Sequence, residues 1–186
     1  FSAILLWPID YDFLTKFCIR PGNVRPGERT DSTLESFREA LARSLGTEPK
    51  KDPAMLHPLV LAYVGDTIFD LAVRTMLIDT HDAKAHTLHE MSARRVRASA
   101  QAQAAMALYE LLDEQEQAIY RRGRNARPGT VPRHASVEEY CAASALEAVL
   151  GYLYLSGKEE RLLWVLEKSL SFETVQDSLP PRPYKG

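Results

Sequence analysis

Apolar positions recur at helical spacing along most of the chain. Residues 57–79 carry Leu59, Ala62, Tyr63, Phe69, Leu71 and Val73 near a period of 3.6, which predicts a helix. Another helical stretch begins at Thr87. Residues 92–112 then read as one long helix rich in alanine, a strong helix former. Residues 113–122 run from acidic to basic, the order that suits a helix dipole. Ser136, with Glu139 three positions on, has the pattern of a capping box and predicts a helix to about Leu155. Ser156-Gly157 breaks it, and residues 158–170 predict the last helix. Near the start, residues 32–45 predict a shorter helix, with Ser32 or Thr33 as N-cap and Gly46 as stop. Strand patterns are nearly absent, so the expected class is all-α.

Proline placement supports this division, because proline is excluded from helix interiors. Six of the eleven prolines lie at or before Pro58 and three fall in the last seven residues; only Pro128 and Pro132 stand between. Residues 123–136, with their Gly and Pro, read as a loop. The expected organisation is an N-terminal extension of open structure (1–54), a helical domain (55–172) and a C-terminal tail (173–186).

At 45% hydrophobic and 26% charged, the chain has the composition of a soluble globular domain, which excludes a mostly disordered one. No apolar run approaches the roughly 20 residues that span a bilayer, so no membrane partner is expected. No basic residue precedes the apolar start, as a secretory signal would require. Cys18 and Cys141 stand far apart, with neither disulfide-framework nor zinc spacing, and a reducing compartment is the economical reading. The first methionine is Met55, the pattern of a trimmed or partial chain. Net charge is −2, which excludes a polycation, but His81 to Ala135 carries nine Lys and Arg against six acids. Such local positive charge suits a polyanion.

Two carboxylates stand out. Asp66 lies one helical turn from Ala62, Tyr63 and Phe69, and Glu147 one turn from Ala143 and Leu150, so both are expected on apolar faces. A buried carboxylate needs a partner. Ion pairing, a position at the edge of the apolar stripe, or a divalent metal held through oxygen would each explain them. Gly65 and Gly151 disfavour helix yet allow another helix or a ligand to come close. Two basic clusters, Arg94-Arg95-x-Arg97 and Arg121 to Arg127, are either solvated faces or phosphate-binding surfaces. His81-Asp82 is too short a match to argue for a histidine-based metal site, and Cys141 reads as a small core residue.

The segment Leu59 to Phe69 resembles the signature helix of the ribonuclease III family, and Ala145 to Leu155 resembles its second signature. Arg122 to Ala126, and Leu88-His89 followed by Arg94 and Arg95, match most specifically the family's short form, Mini-ribonuclease III. The resemblance runs from about Leu59 to Leu163, in order. It implies a ribonuclease III endonuclease-like helical bundle that dimerises and cuts both strands of double-stranded RNA with Mg2+, for which Mn2+ can substitute. It also implies maturation of the large-subunit (23S) ribosomal RNA precursor, with ribosomal proteins of that subunit as possible partners. By motif position Asp66 and Glu147 are the catalytic metal ligands. His89, Arg94, Arg95, Arg97, Arg122, Arg124, Asn125 and Arg127 are the candidate RNA contacts.

This chain has Leu59, Ala62 and Ser144 where the classical enzyme carries further acids, so a thinner metal shell is expected. Only 16 residues follow Leu170, too few for the classical RNA-binding domain. A bacterial cytoplasm is the expected location, with an organellar origin left open. The rival reading is a non-catalytic ribonuclease III-like domain that binds RNA or the ribosome, although such domains tend to lose the metal carboxylates.

Overall fold

A computed structural model describes residues 36–48, 51–126 and 136–177, with side chains as far as 171. Its elements are α1 (Phe37–Ser44), a 3-10 turn (Pro53–Met55), α2 (Pro58–Thr80), α3 (Ala85–Arg95) and α4 (Ala98–Leu108). A second 3-10 turn (Tyr109–Leu111), α5 (Glu114–Asn125), α6 (Val137–Leu155) and α7 (Glu159–Asp177) follow. No strand occurs among the described residues, and the all-α expectation holds.

Helix α6 is the axis of the bundle. Every residue from Ala142 to Leu153 is buried except Glu147, which is half-buried. A helix apolar on all sides must be surrounded. Helices α2, α4 and α5 make the most extensive contacts with it, and α7 packs on α4 and α6. Helix α2 buries Leu61, Ala62, Gly65, Phe69, Val73 and Leu77, a stripe at intervals of one to four residues that faces α6. Helix α4 contributes Ala102, Ala104, Ala105 and Leu108, small side chains that let it come close.

Backbone meets backbone at two glycines. A Cβ on Gly65 would collide with the carbonyl oxygen of Glu147, and one on Gly151 with the carbonyl oxygen of Leu61. The crossing of α2 and α6 therefore needs both glycines.

The capping box expected at Ser136 is formed, whereas the starts of α3 and α4, at Lys84 and Arg97, carry no side-chain cap. Ser136 accepts from the Glu139 N–H and the Glu139 carboxylate accepts in return from the Ser136 N–H. Asp113 and Glu116 make the same box at α5. Helix α1 begins later than expected, capped by Ser36, while Ser32 and Thr33 lie outside the described residues. Gly46 and Gly157, at φ of +64° and +67°, close α1 and α6 as left-handed stops. The Phe37 N–H donates to Glu159, tying the start of α1 to the start of α7.

Three expectations need correction. The alanine-rich stretch is two helices, because the chain turns extended at Arg97 and the buried face of α4 docks on α6. Helix propensity favours continuity there, and packing overrides it. Residues 123–125 are helical, the last turn of α5, because Gly123 packs directly on Ala145 of α6. The last helix runs past Leu170 to Asp177.

Candidate active site

The α2–α6 crossing builds the site. Gly65 rests on the carbonyl of Glu147, so the next residue on α2, Asp66, is set beside the Glu147 side chain. Their proximity is electrostatic as well as geometric. The Glu147 pKa is pushed up to about 8, chiefly by burial and then by the Asp66 charge, against a hydrogen bond from Gln101 that pulls it down. Asp66 is raised too, by desolvation first and by Asp70 second.

Asp66 is nevertheless exposed, which corrects the expectation that it lies on the apolar face. It occupies the shoulder of the α2 stripe. Glu147 does sit in an apolar setting, as the one opening in a buried run. Neither carboxylate has an ion-pair partner among the described residues, where the ion pairs shown are Asp70–Arg74, His86–Glu90, Glu116–Arg161 and Glu167–Lys168. The ion-pair explanation for the two acids therefore lacks its cation. Two adjacent carboxylates, each disfavoured as an anion, suit a divalent cation bound through oxygen. No group of three metal-ligating side chains converges among the described residues, so protein would supply a minority of the ligands. That is the pattern expected of Mg2+, which keeps several waters and takes substrate phosphate.

The basic residues divide. Arg94 and Arg95 end α3 and Arg97 caps α4, rather than opening one long helix. His89, Arg94 and Arg97 are exposed, and Arg95 is half-buried with its Nη1 fully enclosed. In α5, Arg122 donates from both terminal nitrogens, at 2.6 Å each, to the carbonyls of Ala54 and Leu56. It clamps the 3-10 turn onto the bundle. Arg124 and Asn125 are exposed at the end of α5. Gly123 between them and Arg122 serves helix packing, since it touches Ser144, Ala145 and Ala148 of α6. The last turn of α5 thus lies along the part of α6 that carries Glu147. Arg127 lies outside the described residues.

Two features escaped sequence reasoning. Gln101 is a buried amide whose partner, 46 positions later, no local pattern announces. Glu116, 0% exposed, is held by Arg161 of α7 through bonds of 2.9 and 2.7 Å. Its place at the acidic start of a helix gave no sign of this longer-range bond.

The Ribonuclease III domain family matches residues 59–158, which contain both carboxylates and the α2–α6 crossing. The chain belongs to the ribonuclease III family. Its similarity is to catalytic-domain-sized members. It is 41% identical over 128 residues to a Mini-ribonuclease 3 of Thermoanaerobacter, covering 69% of this chain and 89% of that one. With the Mini-ribonuclease 3 of Staphylococcus aureus it shares 41% over 119 residues, 63% of this chain and 89% of the other. The crystal structure of a Fusobacterium nucleatum protein aligns with TM-score 0.60 at 31% identity, covering 67% of this chain and 99% of that one. The expected ribonuclease III fold is thereby shown. No described helix is long and apolar enough to cross a membrane.

Proposed function

We propose that this endoribonuclease of the ribonuclease III family cuts both strands of double-stranded RNA as a homodimer, using Mg2+ held by Asp66 and Glu147. The observation that carries this reading is the pair itself. Two carboxylates from two helices are brought together by a glycine crossing, each is raised in pKa, and neither has a cation in reach among the described residues. Bound there, a divalent cation would activate a water and stabilise charge on the scissile phosphate; Mn2+ would serve as well. The chain's own part is to set the two carboxylates at one point and present cationic side chains to the RNA backbone. His89, Arg94, Arg97, Arg124 and Asn125 are exposed for that task, and Arg127 follows them in sequence. Arg95, partly enclosed, serves the RNA track with less freedom, while Arg122, its terminal nitrogens engaged with two backbone carbonyls, anchors the helix that presents Arg124 and Asn125.

An apolar groove of about 770 Å³ supports the dimer. It lies between α2 and α7, with Tyr63, Ile68 and Leu71 on one wall and Leu163 and Leu166 on the other. Tyr63 is 80% and Leu163 65% exposed, and together with Phe37 and Leu71 they line one continuous apolar surface, the kind that marks an interaction face. The names of the relatives support a ribonuclease, and their bacterial sources a bacterial cytoplasm. Precursor RNA of the large ribosomal subunit, bound alone or with ribosomal proteins of that subunit, is the substrate we assign within this reading.

The test is cleavage of a duplex RNA with Mg2+ and then with EDTA, for the wild type and for Asp66→Asn. Asn keeps the size and removes the charge. The variant should fold and bind RNA normally yet lose cleavage. Wild-type rates from Asp66→Asn, or undiminished cleavage in EDTA, would sink the reading.

A further inference from the structure

Asp66, Asp70 and Arg74 follow one another along α2 at intervals of four residues, on the ridge next to the buried row of Gly65, Phe69, Val73 and Leu77. The apolar groove draws on the other flank of that row, through Val64, Ile68 and Ala72, and none of the three polar residues lines it. The polar ridge therefore stays open in a dimer paired through the groove. Both oxygens of the Asp70 carboxylate accept from the Nε of Arg74, at 2.8 Å each. The Arg74 side chain is 51% exposed, and its two terminal nitrogens make no hydrogen bond among the described residues. Arg74 also lines a small cleft of about 170 Å³ between α2 and α3, with Leu77, Leu88 and His89.

An exposed pair at this spacing ordinarily does no more than support its helix. Here the bond takes Nε alone, so the guanidinium is held at its root while both terminal nitrogens are left for another acceptor. A planar fork of two donors fits a phosphate, and holding it beforehand lowers the entropy lost on binding. Helical rise sets Arg74 about 12 Å along α2 from Asp66, within reach of the same RNA strand. His89 lies on the facing wall of the cleft, and its helix ends in Arg94 and Arg95. We propose that Arg74 binds a backbone phosphate of the RNA, with Asp70 holding its guanidinium in place. The RNA track then runs from the carboxylate pair along α2 to His89 and the arginines of α3. This rests on the reading of the chain as a duplex-RNA nuclease.

The experiment measures duplex RNA binding by fluorescence anisotropy over a salt series with Mg2+ present, in the full chain carrying Asp66→Asn so that RNA is bound without being cut. Arg74→Gln and Arg74→Lys are compared in that background. Glutamine removes both the charge and the fork, whereas lysine keeps the charge as a point. Arg74→Gln should weaken binding about tenfold, the lower end for one charge-assisted hydrogen bond. Its log K should fall less steeply with log salt, by about 0.9, taking the duplex-DNA value as a proxy. Arg74→Lys should restore the slope but only part of the affinity. With Asp66 intact, Arg74→Gln should lower cleavage more at limiting than at saturating RNA, and Mn2+ affinity measured by calorimetry without RNA should not fall. If Arg74 merely pairs with Asp70, Arg74→Gln will melt lower while its RNA affinity and salt slope match the background, and the inference is overturned. It is overturned as well if lysine restores neither quantity, or if Mn2+ affinity drops, since the loss would then lie in the helix or the cation site. If the Asp66→Asn chain itself fails to bind duplex RNA, the nuclease reading fails and takes this inference with it.

Discussion

Glu147 carries a proton up to a pH of about 8 in the metal-free protein, and this has a thermodynamic sign. Its pKa is raised on folding from an ordinary value of 4.5, so between those values the folded chain holds a proton that the unfolded chain has released. Stability must therefore fall as pH rises through that window, by at most about 1.4 kcal/mol per pH unit from this group. Partial exposure reduces the figure. Glu147→Gln, a mimic of the protonated acid, should flatten the slope and be more stable than wild type near pH 8. Urea melts in EDTA from pH 5 to 8.5 measure both effects; parallel curves for the two proteins would contradict the burial argument. A divalent cation reverses the trend, since it needs the deprotonated carboxylate. Its apparent affinity should climb with pH and level off above about 8.

Helices α2 and α6 depend on their glycines more than on any side chain. Gly65→Ala would drive a methyl group into the Glu147 carbonyl, so the helices must separate or the chain must strain. We expect a loss of about 3 kcal/mol or more, beyond ordinary overpacking. Cleavage should be lost even at temperatures where the variant remains folded, because the crossing is what sets Asp66 beside Glu147. A chemical melt matching wild type would refute the close crossing. Helix α5 offers a contrast between anchoring and binding. Arg122→Ala removes two hydrogen bonds to the 3-10 turn and should lower stability by about 1 kcal/mol. Replacing Arg94, Arg97 and Arg124 with alanine should leave stability near wild type but weaken duplex binding. The salt dependence of log K should become shallower by up to about 0.9 for each phosphate no longer neutralised, taking the duplex-DNA value as a proxy. Fluorescence anisotropy across a salt series separates the two classes. An unaltered slope in the triple variant would make those arginines a solvated face.

At the level of the molecule, the groove between α2 and α7 puts apolar surface and the candidate site on the same helix. Tyr63 faces the groove and Asp66, one turn along, stands on the shoulder toward α6. Pairing two copies through this face would bring two cation sites into one assembly, as cutting both strands requires. Tyr63→Glu should shift the mass measured by light scattering from dimer to monomer while leaving the helical circular dichroism intact. It should also reduce double-strand cleavage more than Mn2+ binding. A variant that stays dimeric would move the interface elsewhere. Helix α1 borders the same groove through Phe37, tied in place by the bond from its N–H to Glu159. Most of the 1–54 extension lies outside the described residues, but this helix and the 3-10 turn belong with the bundle.

Much of this was legible from the residues in order. Periodicity and capping chemistry act over one or two turns, so the span of α2, the box at Ser136 and the stops at Gly46 and Gly157 could be read locally. The two carboxylates were conspicuous for a similar reason, as charges among apolar neighbours. What sequence could not supply was anything that depends on a third body. Continuous alanine predicts one helix, yet docking on α6 imposes a break at Arg97. Gly123 next to arginines suggests a phosphate loop, yet it is consumed by packing against Ala145. Arg122 belongs to a basic run, yet its guanidinium is spent on two carbonyls. Asp66 has an apolar neighbourhood on the helical wheel but an exposed position in space, because the stripe has an edge and only packing decides where it falls. Gln101 is the sharpest case. Its meaning lies in a helix 46 positions away, and helix packing rather than local pattern brings the two together.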